Sequence, residues 1–399
     1  MRHRVKITGI GPVTPAGIGR EAFFRGINET VSRVRALTQF DPAAGQFVGA
    51  EVTNFDLKQY AKDENPKRLS RHTQFSLVAA ILALKDAGLT RADLARINPT
   101  VVTGTSMMDF DKIGRGMELV MKKGTRYTPG SVMYEASVAN VAGKIVEWLG
   151  VPARMLTMQT SCCSGTDAIG QGSELVASRQ ADLVLCGGSE SPLSYYPMLG
   201  FNASELSPAT SDTPEKACRP FDLWRSTGVI GEGACMFVLE PENSPRPALA
   251  WITGYGYAND QDGQTAMGLV DSVRQALANA TRRPEEVDYI NAWGTGHRVI
   301  DANESRALLH LFGDRLGEIP VTSIKGAIGT ALGASGPIQT ASTALSLHHG
   351  LLPPTVNWET PDPACPLNLS NQPRRLPVRV AVVNSHGLSG SNAALVIEK

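Results

Sequence analysis

The stretch "MQTSCCSGTDAI", residues 158–169, sets two adjacent cysteines between an apolar run and a segment rich in small residues. "RMLTMQTS" (154–161) in front of it reads as a strand, and Ser164–Arg179 behind it has helical periodicity. The predicted unit is therefore a strand, a tight turn and a helix, with a thiol at the first turn. The unpaired N–H groups of a helix start favour a thiolate there and offer donors to an oxyanion. Small neighbours (Ser161, Ser164, Gly165) leave room for a substrate to approach. A plainer reading makes the cysteine a small buried side chain. Metal binding is disfavoured, because no paired ligands accompany the thiols.

The same alternation extends outward from this unit. "RVKITGIGPVTP" (4–15), "TVVTGTS" (100–106), "ADLVLCGGSES" (181–191) and "GEGACMFVLEP" (231–241) read as further strands, and 71–89 as a helix. A second series follows: strands in "ALAWITGYGYAND" (248–260), "VDYINAWG" (287–294), "IPVTSIKG" (319–326) and "RVAVVNSHG" (379–387), with helices near 266–280, 301–312 and 334–350. Both series open on an "ITGxG" run, Ile7–Gly11 and Ile252–Gly256. The expected fold is α/β and duplicated, with halves at 1–245 and 246–399 and a seam in "EPENSPRPA" (240–248).

Bulk composition excludes several function classes. Lys+Arg and Asp+Glu balance at 38 each, so charge gives no case for nucleic acid binding. No apolar run reaches the length of a membrane span, and "MRHRVKITGIGPVT" enters a strand with no signal-peptide core, so a cytoplasmic protein is expected. Six cysteines without regular spacing predict free thiols rather than a disulfide framework.

Six ordered blocks carry a resemblance along nearly the whole chain: "KITGIGPVTPAGIG" (6–19), "TSCCSGTDAI" (160–169), "RPFDLWRSTGVIGEGA" (219–234), "NAWGTG" (291–296), "SIKGAIGTALGASG" (323–336) and "NSHGLSGSNAAL" (384–395). The chain resembles the elongating β-ketoacyl-acyl carrier protein synthases of the thiolase-like condensing enzymes. The resemblance implies duplicated halves in α-β-α-β-α layers. It also implies a cysteine that takes an acyl group from a carrier protein's pantetheine arm, with no cofactor or metal of the enzyme's own. Cys162 falls on the nucleophile, and Cys163 on a position that the family fills with Ser or Thr. Cys162 and Leu388 stand where backbone N–H groups form the family's oxyanion hole.

The resemblance breaks at the two histidines that assist decarboxylation of malonyl-carrier protein. Trp293 and Thr330 stand in their places. An indole N–H and a hydroxyl donate hydrogen bonds but supply no base that titrates near neutrality. Losing one preorganised donor typically costs ~10²–10³ in rate. His297 and His386 are the candidates for substitution; the first aligns with a pantetheine-contacting Thr, the second replaces a Phe of the family's N-S-F-G-F-G-G loop. Lys325, Asp301, Glu304 and Thr295 match the family frame, whereas Gln339 stands where Glu is common. A buried Lys325–Glu304 ion pair joining the halves is an alternative to a catalytic role for these two.

Met107 and Met108 are expected to fill the acyl pocket opposite Phe201. Lys67, Arg68 and Arg71 match the place where the family docks its acidic carrier protein. The expected function is a ketosynthase-like acyltransferase of polyketide- or antibiotic-type metabolism. It loads Cys162 from a carrier protein or CoA and passes the acyl group on without ordinary decarboxylative condensation. The alternatives are a chain-length-factor-like subunit of a ketosynthase heterodimer and, third, an ordinary synthase with an altered site. The family dimerises through the strand before the nucleophile, "ARMLTMQ" (153–159), so a homodimer or heterodimer is expected.

Overall fold

A computed structural model describes residues 4–39, 47–208, 211–261 and 266–399. Ten strands build the main sheet: β1 (Val5–Thr14), β2 (Thr100–Gly104), β3 (Arg154–Met158), β4 (Val184–Glu190) and β5 (Gly233–Pro241), then β6 (Ala250–Asn259), β7 (Tyr289–Asn291), β8 (Val321–Thr322), β9 (Val380–His386) and β10 (Ser391–Glu398). An eleventh, Gly17–Ile18, folds back on β1. Across the sheet the first five run β3-β2-β4-β5-β1, and the second five run β8-β7-β9-β10-β6. Ranked within each half, both orders read third, second, fourth, fifth, first. The directions match too: second pairs third and fourth in parallel, while fourth–fifth and fifth–first are antiparallel. β1 and β6 meet antiparallel, with Val5 opposite Ile252 and Ile7 opposite Ala250, and join the two sets of strands.

Five helices set the layers: α1 (Arg71–Asp86), α2 (Ser164–Ala177), α3 (Met267–Asn279), α4 (Arg298–Phe312) and α5 (Ser335–His349). α2 and α5 follow the equivalent strands β3 and β8 and pack on each other between the two halves of the sheet. Twelve of the fourteen residues of α2 and thirteen of the fifteen of α5 are buried, as a helix enclosed on all sides requires. α1 covers β1 and β5 from outside, and α3 covers β6 and β10. Three apolar cores result. A central one holds Ile169, Val176, Ile338 and Leu345; the two outer ones hold Leu77 with Val238 and Val273 with Val396. No helix among the described residues is long and apolar enough to cross a membrane.

The two shared glycines of the "ITGxG" runs have a packing cause. A Cβ on Gly9 or Gly11 would lie 2.2 and 2.0 Å from the carbonyl oxygens of Ala83 and Ala79 in α1. A Cβ on Gly254 or Gly256 would meet those of Ala276 and Ser272 in α3 at 2.0 and 2.1 Å. In each half the outer helix lies directly on a strand backbone, and only glycine leaves the space.

Several local readings change. The strand expected over 319–326 is two residues long, and Lys325 opens a short helix, Lys325–Ile328. The strand expected over 287–294 ends at Asn291, so Trp293 stands on the loop beyond it. β10 was not read as a strand, although its buried run is the partner of both β9 and β6.

Overpacking a close approach of this kind costs about 1–3 kcal/mol. Gly11→Ala and Gly256→Ala are each expected to lower the thermal unfolding midpoint. Gly143→Ala, on a helix position with open space around it, should leave the midpoint unchanged or raise it slightly. Calorimetry of the three variants checks the ranking.

Candidate active site

Cys162 sits on a strained elbow between β3 and α2. Ser161 before it holds φ 53°, a conformation that costs a non-glycine residue energy and persists only where the surroundings impose it. Here they do. Ser164 Oγ accepts from Thr160 N at 2.9 Å and donates to Ser161 O at 2.5 Å. Asp167, buried in α2, accepts from Thr160 Oγ1 and from Tyr255 O–H, the latter at 2.8 Å. Cys163 is the N-cap residue of the helix, and its Sγ donates to Ser391 O at 3.3 Å.

The reactive thiol therefore stands before the helix, not in its first turn as expected. The backbone N–H groups of Leu388 and of Cys162 itself, and Lys325 by its charge, pull the pKa of its sulfur down. Burial outweighs all three, and with Glu190 nearby it pushes the thiol up to about 12. Burial thus favours the thiol over the thiolate expected at a helix start. A base is needed when the sulfur attacks.

The loop after β7 is held by two carboxylates of α4. Glu304 accepts from Trp293 N and Gly294 N, each at 2.7 Å, and from Asn384 Nδ2 at 2.6 Å. Asp301 accepts from Thr295 N at 2.9 Å, from Gly296 N at 3.1 Å and from Phe221 N at 2.8 Å. Four consecutive amides thus end on two side chains one turn apart. Burial raises both acids, Asp301 to about 7. His297 caps the same helix: its Nδ1 accepts from Val299 N at 3.2 Å and Ile300 N at 3.3 Å. That nitrogen is therefore bare, and the ring proton sits on Nε2. Desolvation, the largest influence, lowers the His297 pKa and agrees with a neutral ring.

Trp293 and Lys325 form the wall behind the nucleophile. Lys325 Nζ lies 4.6 Å from the centre of the Trp293 ring and has no hydrogen-bond partner among the described residues. The alternative of a Lys325–Glu304 ion pair is therefore not realised; Glu304 spends its lone pairs on amides. Burial of Lys325 draws its pKa down to about 7. Thr330 presents a buried hydroxyl that has no partner either.

These elements converge on one cavity with about 40 Å³ of free space. Cys162, Trp293, Thr295, His297, Thr330, His386, Leu388 and Phe201 all line it, although they come from five separate stretches of chain. The sequence profile of the β-ketoacyl synthase N-terminal domain matches residues 2–244, and that of the C-terminal domain matches 249–359. The chain belongs to the β-ketoacyl synthase family. Among similar proteins, a putative polyketide beta-ketoacyl synthase 1 from Streptomyces halstedii is 33% identical over 100% of this chain and 98% of its own. The solved ishigamide ketosynthase/chain length factor superposes with a TM-score of 0.92 at 29% identity, covering 100% of both chains. A type II PKS acyl-carrier protein in complex with its ketosynthase bound to the hexaketide gives 0.91 at 26%, again over 100% of both.

For a β-ketoacyl synthase, two expected positions read differently. Met108, just before the helix at Phe110–Lys123, is 42% exposed, so it does not fill the acyl pocket. Met107 packs against the apolar cluster of Cys162, Phe201 and Trp293. Arg71 does not stand free beside the exposed Lys67 and Arg68. Its guanidinium is drawn onto the buried Glu232 by bonds of 2.6 and 2.8 Å. Glu190 escaped the sequence reading; it accepts from Thr105 Oγ1, Ser106 N and Oγ, and Gly333 N, and burial raises it to about 7. Asp260 and Asn392 also escaped it, because their roles depend on a strand register that motif spacing does not contain.

Lys325 sets a pH-dependent stability. Its folded pKa lies below its unfolded one, so below about pH 7 the folded protein carries the full cost of the buried charge. That cost shrinks as pH rises from the folded toward the unfolded pKa. Lys325→Met is therefore expected to raise the unfolding midpoint more at pH 6 than at pH 9, which thermal melts at the two pH values check.

Proposed function

We propose that this β-ketoacyl synthase is a ketosynthase-like acyltransferase of polyketide-type biosynthesis, which takes an acyl group onto Cys162 and hands it to an acceptor. The observation that carries this reading is the thiol itself. It lines a cavity together with Leu388, and the backbone N–H groups of Leu388 and of Cys162 itself lower its pKa. That is the arrangement a thioester carbonyl needs: a nucleophile, and two donors for the oxyanion that forms when it is attacked. Thr295 and His297 on the opposite wall supply polar contacts for a pantetheine arm. The arm arrives with a carrier protein, so the enzyme needs no cofactor of its own.

Decarboxylation is the step that the site supports least. Trp293 and Thr330 offer hydrogen-bond donors but no group that titrates near neutrality. The Trp293 ring occupies the wall and leans on Lys325, and with Phe201 it narrows the acyl space. Acyl transfer to a nucleophile other than a malonyl carbanion fits this chemistry better than ordinary chain elongation.

The partners follow the same reasoning. An acyl carrier protein is the donor, docking near the exposed Lys67 and Arg68 rather than Arg71. A second synthase chain, identical or different, pairs along β3. This edge strand leaves Met155 49% exposed, and Met133 and Tyr134 stand out from the same half of the molecule. One observation favours a second reading, a chain-length-factor-like subunit: the free space at Cys162 is too small for a long acyl chain without movement.

Intact-mass spectrometry after incubation with acyl-carrier protein separates the two. The expected result is a single acyl adduct that is absent from Cys162→Ala, with little CO2 released from malonyl-carrier protein. No adduct, together with stable association only with a second synthase, would sink the enzyme reading.

A further inference from the structure

A histidine stands at the end of β9, on the hairpin that covers the nucleophile. His386 pairs in register with Asn392 across the hairpin, and its Nδ1 lies 2.8 Å from Asn392 Oδ1. The amide's orientation is decided by its other end. Asn392 Nδ2 donates to Asp260 Oδ1 at 3.2 Å and to Gly390 O at 3.0 Å, and both of these are acceptors. The oxygen must therefore face the ring, and Nδ1 must carry the proton that it accepts. The lone pair of the neutral ring is left on Nε2, and the ring lines the cavity that holds Cys162.

Asp260 completes the arrangement. Its Oδ1 also accepts from Gly268 N at 2.7 Å, while its buried Oδ2 has no hydrogen-bond partner among the described residues and lies 3.9 Å from His386 Nδ1. A buried carboxylate oxygen without a partner is costly unless a positive charge appears beside it. The imidazolium formed by proton uptake at Nε2 is such a charge. The hairpin itself is tied to the elbow, since Ser391 Oγ donates to Thr160 O at 3.0 Å and Gly387 N donates to Ser391 O at 2.8 Å.

We propose that His386 is the general base for Cys162, with Asn392 setting its tautomer and Asp260 stabilising its charged form. The step balances as follows. Nε2 takes the Sγ proton as the Cys162 sulfur bonds to the thioester carbonyl carbon, and the oxyanion rests on the N–H groups of Cys162 and Leu388. The carbonyl then re-forms, the bond to the pantetheine sulfur breaks, and Nε2–H protonates the departing thiolate. His297 has the opposite tautomer, with Nδ1 spent on the α4 amides, and acts as a donor rather than a base. The charged and titratable groups around His386 are Asp260 after β6, Cys162 and Cys163 on the elbow, and His297 across the cavity, with Lys325 and Glu190 behind the sulfur.

This inference rests on acyl transfer at Cys162, and two readouts keep the claims apart. The first is the single-turnover rate of Cys162 acylation by acyl-carrier protein across pH. The wild type should lose rate on the acidic side, because a general base must be unprotonated to act. His386→Gln and His386→Phe should lose ~10²-fold or more together with that limb. Asn392→Ala, a positioning change, should lose less and shift the limb. The second readout is alkylation of Cys162 by iodoacetamide, located by peptide mass with Cys162→Ala as control, which needs no acyl donor. A His386-dependent acidic limb in alkylation without any acyl adduct would overturn the acyl-transfer reading and keep the base. Wild-type rate and pH profile in folded His386→Gln and His386→Phe, in both readouts, would overturn the base and leave the acyl-transfer reading intact.

Discussion

The packing of α2 against α5 is the constraint from which the site follows. Each helix is reached by an equivalent strand, β3 or β8, and both are buried on nearly every face. Two helices enclosed in this way must start near one another, so their entry turns converge. The Cys162 elbow at one start and the Lys325–Thr330 stretch before the other become walls of a single cavity. The small residues of α2 permit the approach: a Cβ on Gly165 would lie 2.3 Å from Gly333 O. The reactive centre is thus a product of the duplication, since neither half contains all of it.

Around that centre the protein manages buried charge in two ways. Glu304, Asp301 and Glu190 each collect three or more hydrogen bonds, many from backbone N–H groups. These bonds compensate desolvation and hold the loops rigid. Lys325 and Asp260 are treated differently, with Nζ and Oδ2 left without hydrogen bonds beside a ring. A group left in this state is poised to respond to a charge that forms during reaction, where a saturated one is not.

The replacement of two expected histidines thus does not empty the site of imidazole. His297 comes into the cavity from the end of the Trp293 loop and His386 from the β9–β10 hairpin, one locked as a donor and the other as an acceptor by their Nδ1 partners. An acceptor suits proton removal from a thiol that burial keeps protonated. It does not replace a second donor for an enolate.

Much of this was legible in the sequence. Alternating apolar runs and small-residue segments determined the strand–helix repeat, because period and burial are local properties of a chain. The "ITGxG" runs marked both halves, although only the packed helices explain why glycine is needed at Gly9, Gly11, Gly254 and Gly256. Motif order identified the family. The sequence misjudged Met108 and Arg71, whose neighbours are far away along the chain. It could not assign a proton to either ring, because Asn392 and Asp260 reach His386 only through β-sheet register. Chemistry that depends on which residue types are present was decided by the sequence; chemistry that depends on which lone pair is free was decided only by the tertiary fold, because hydrogen-bond partners are set by distance in space.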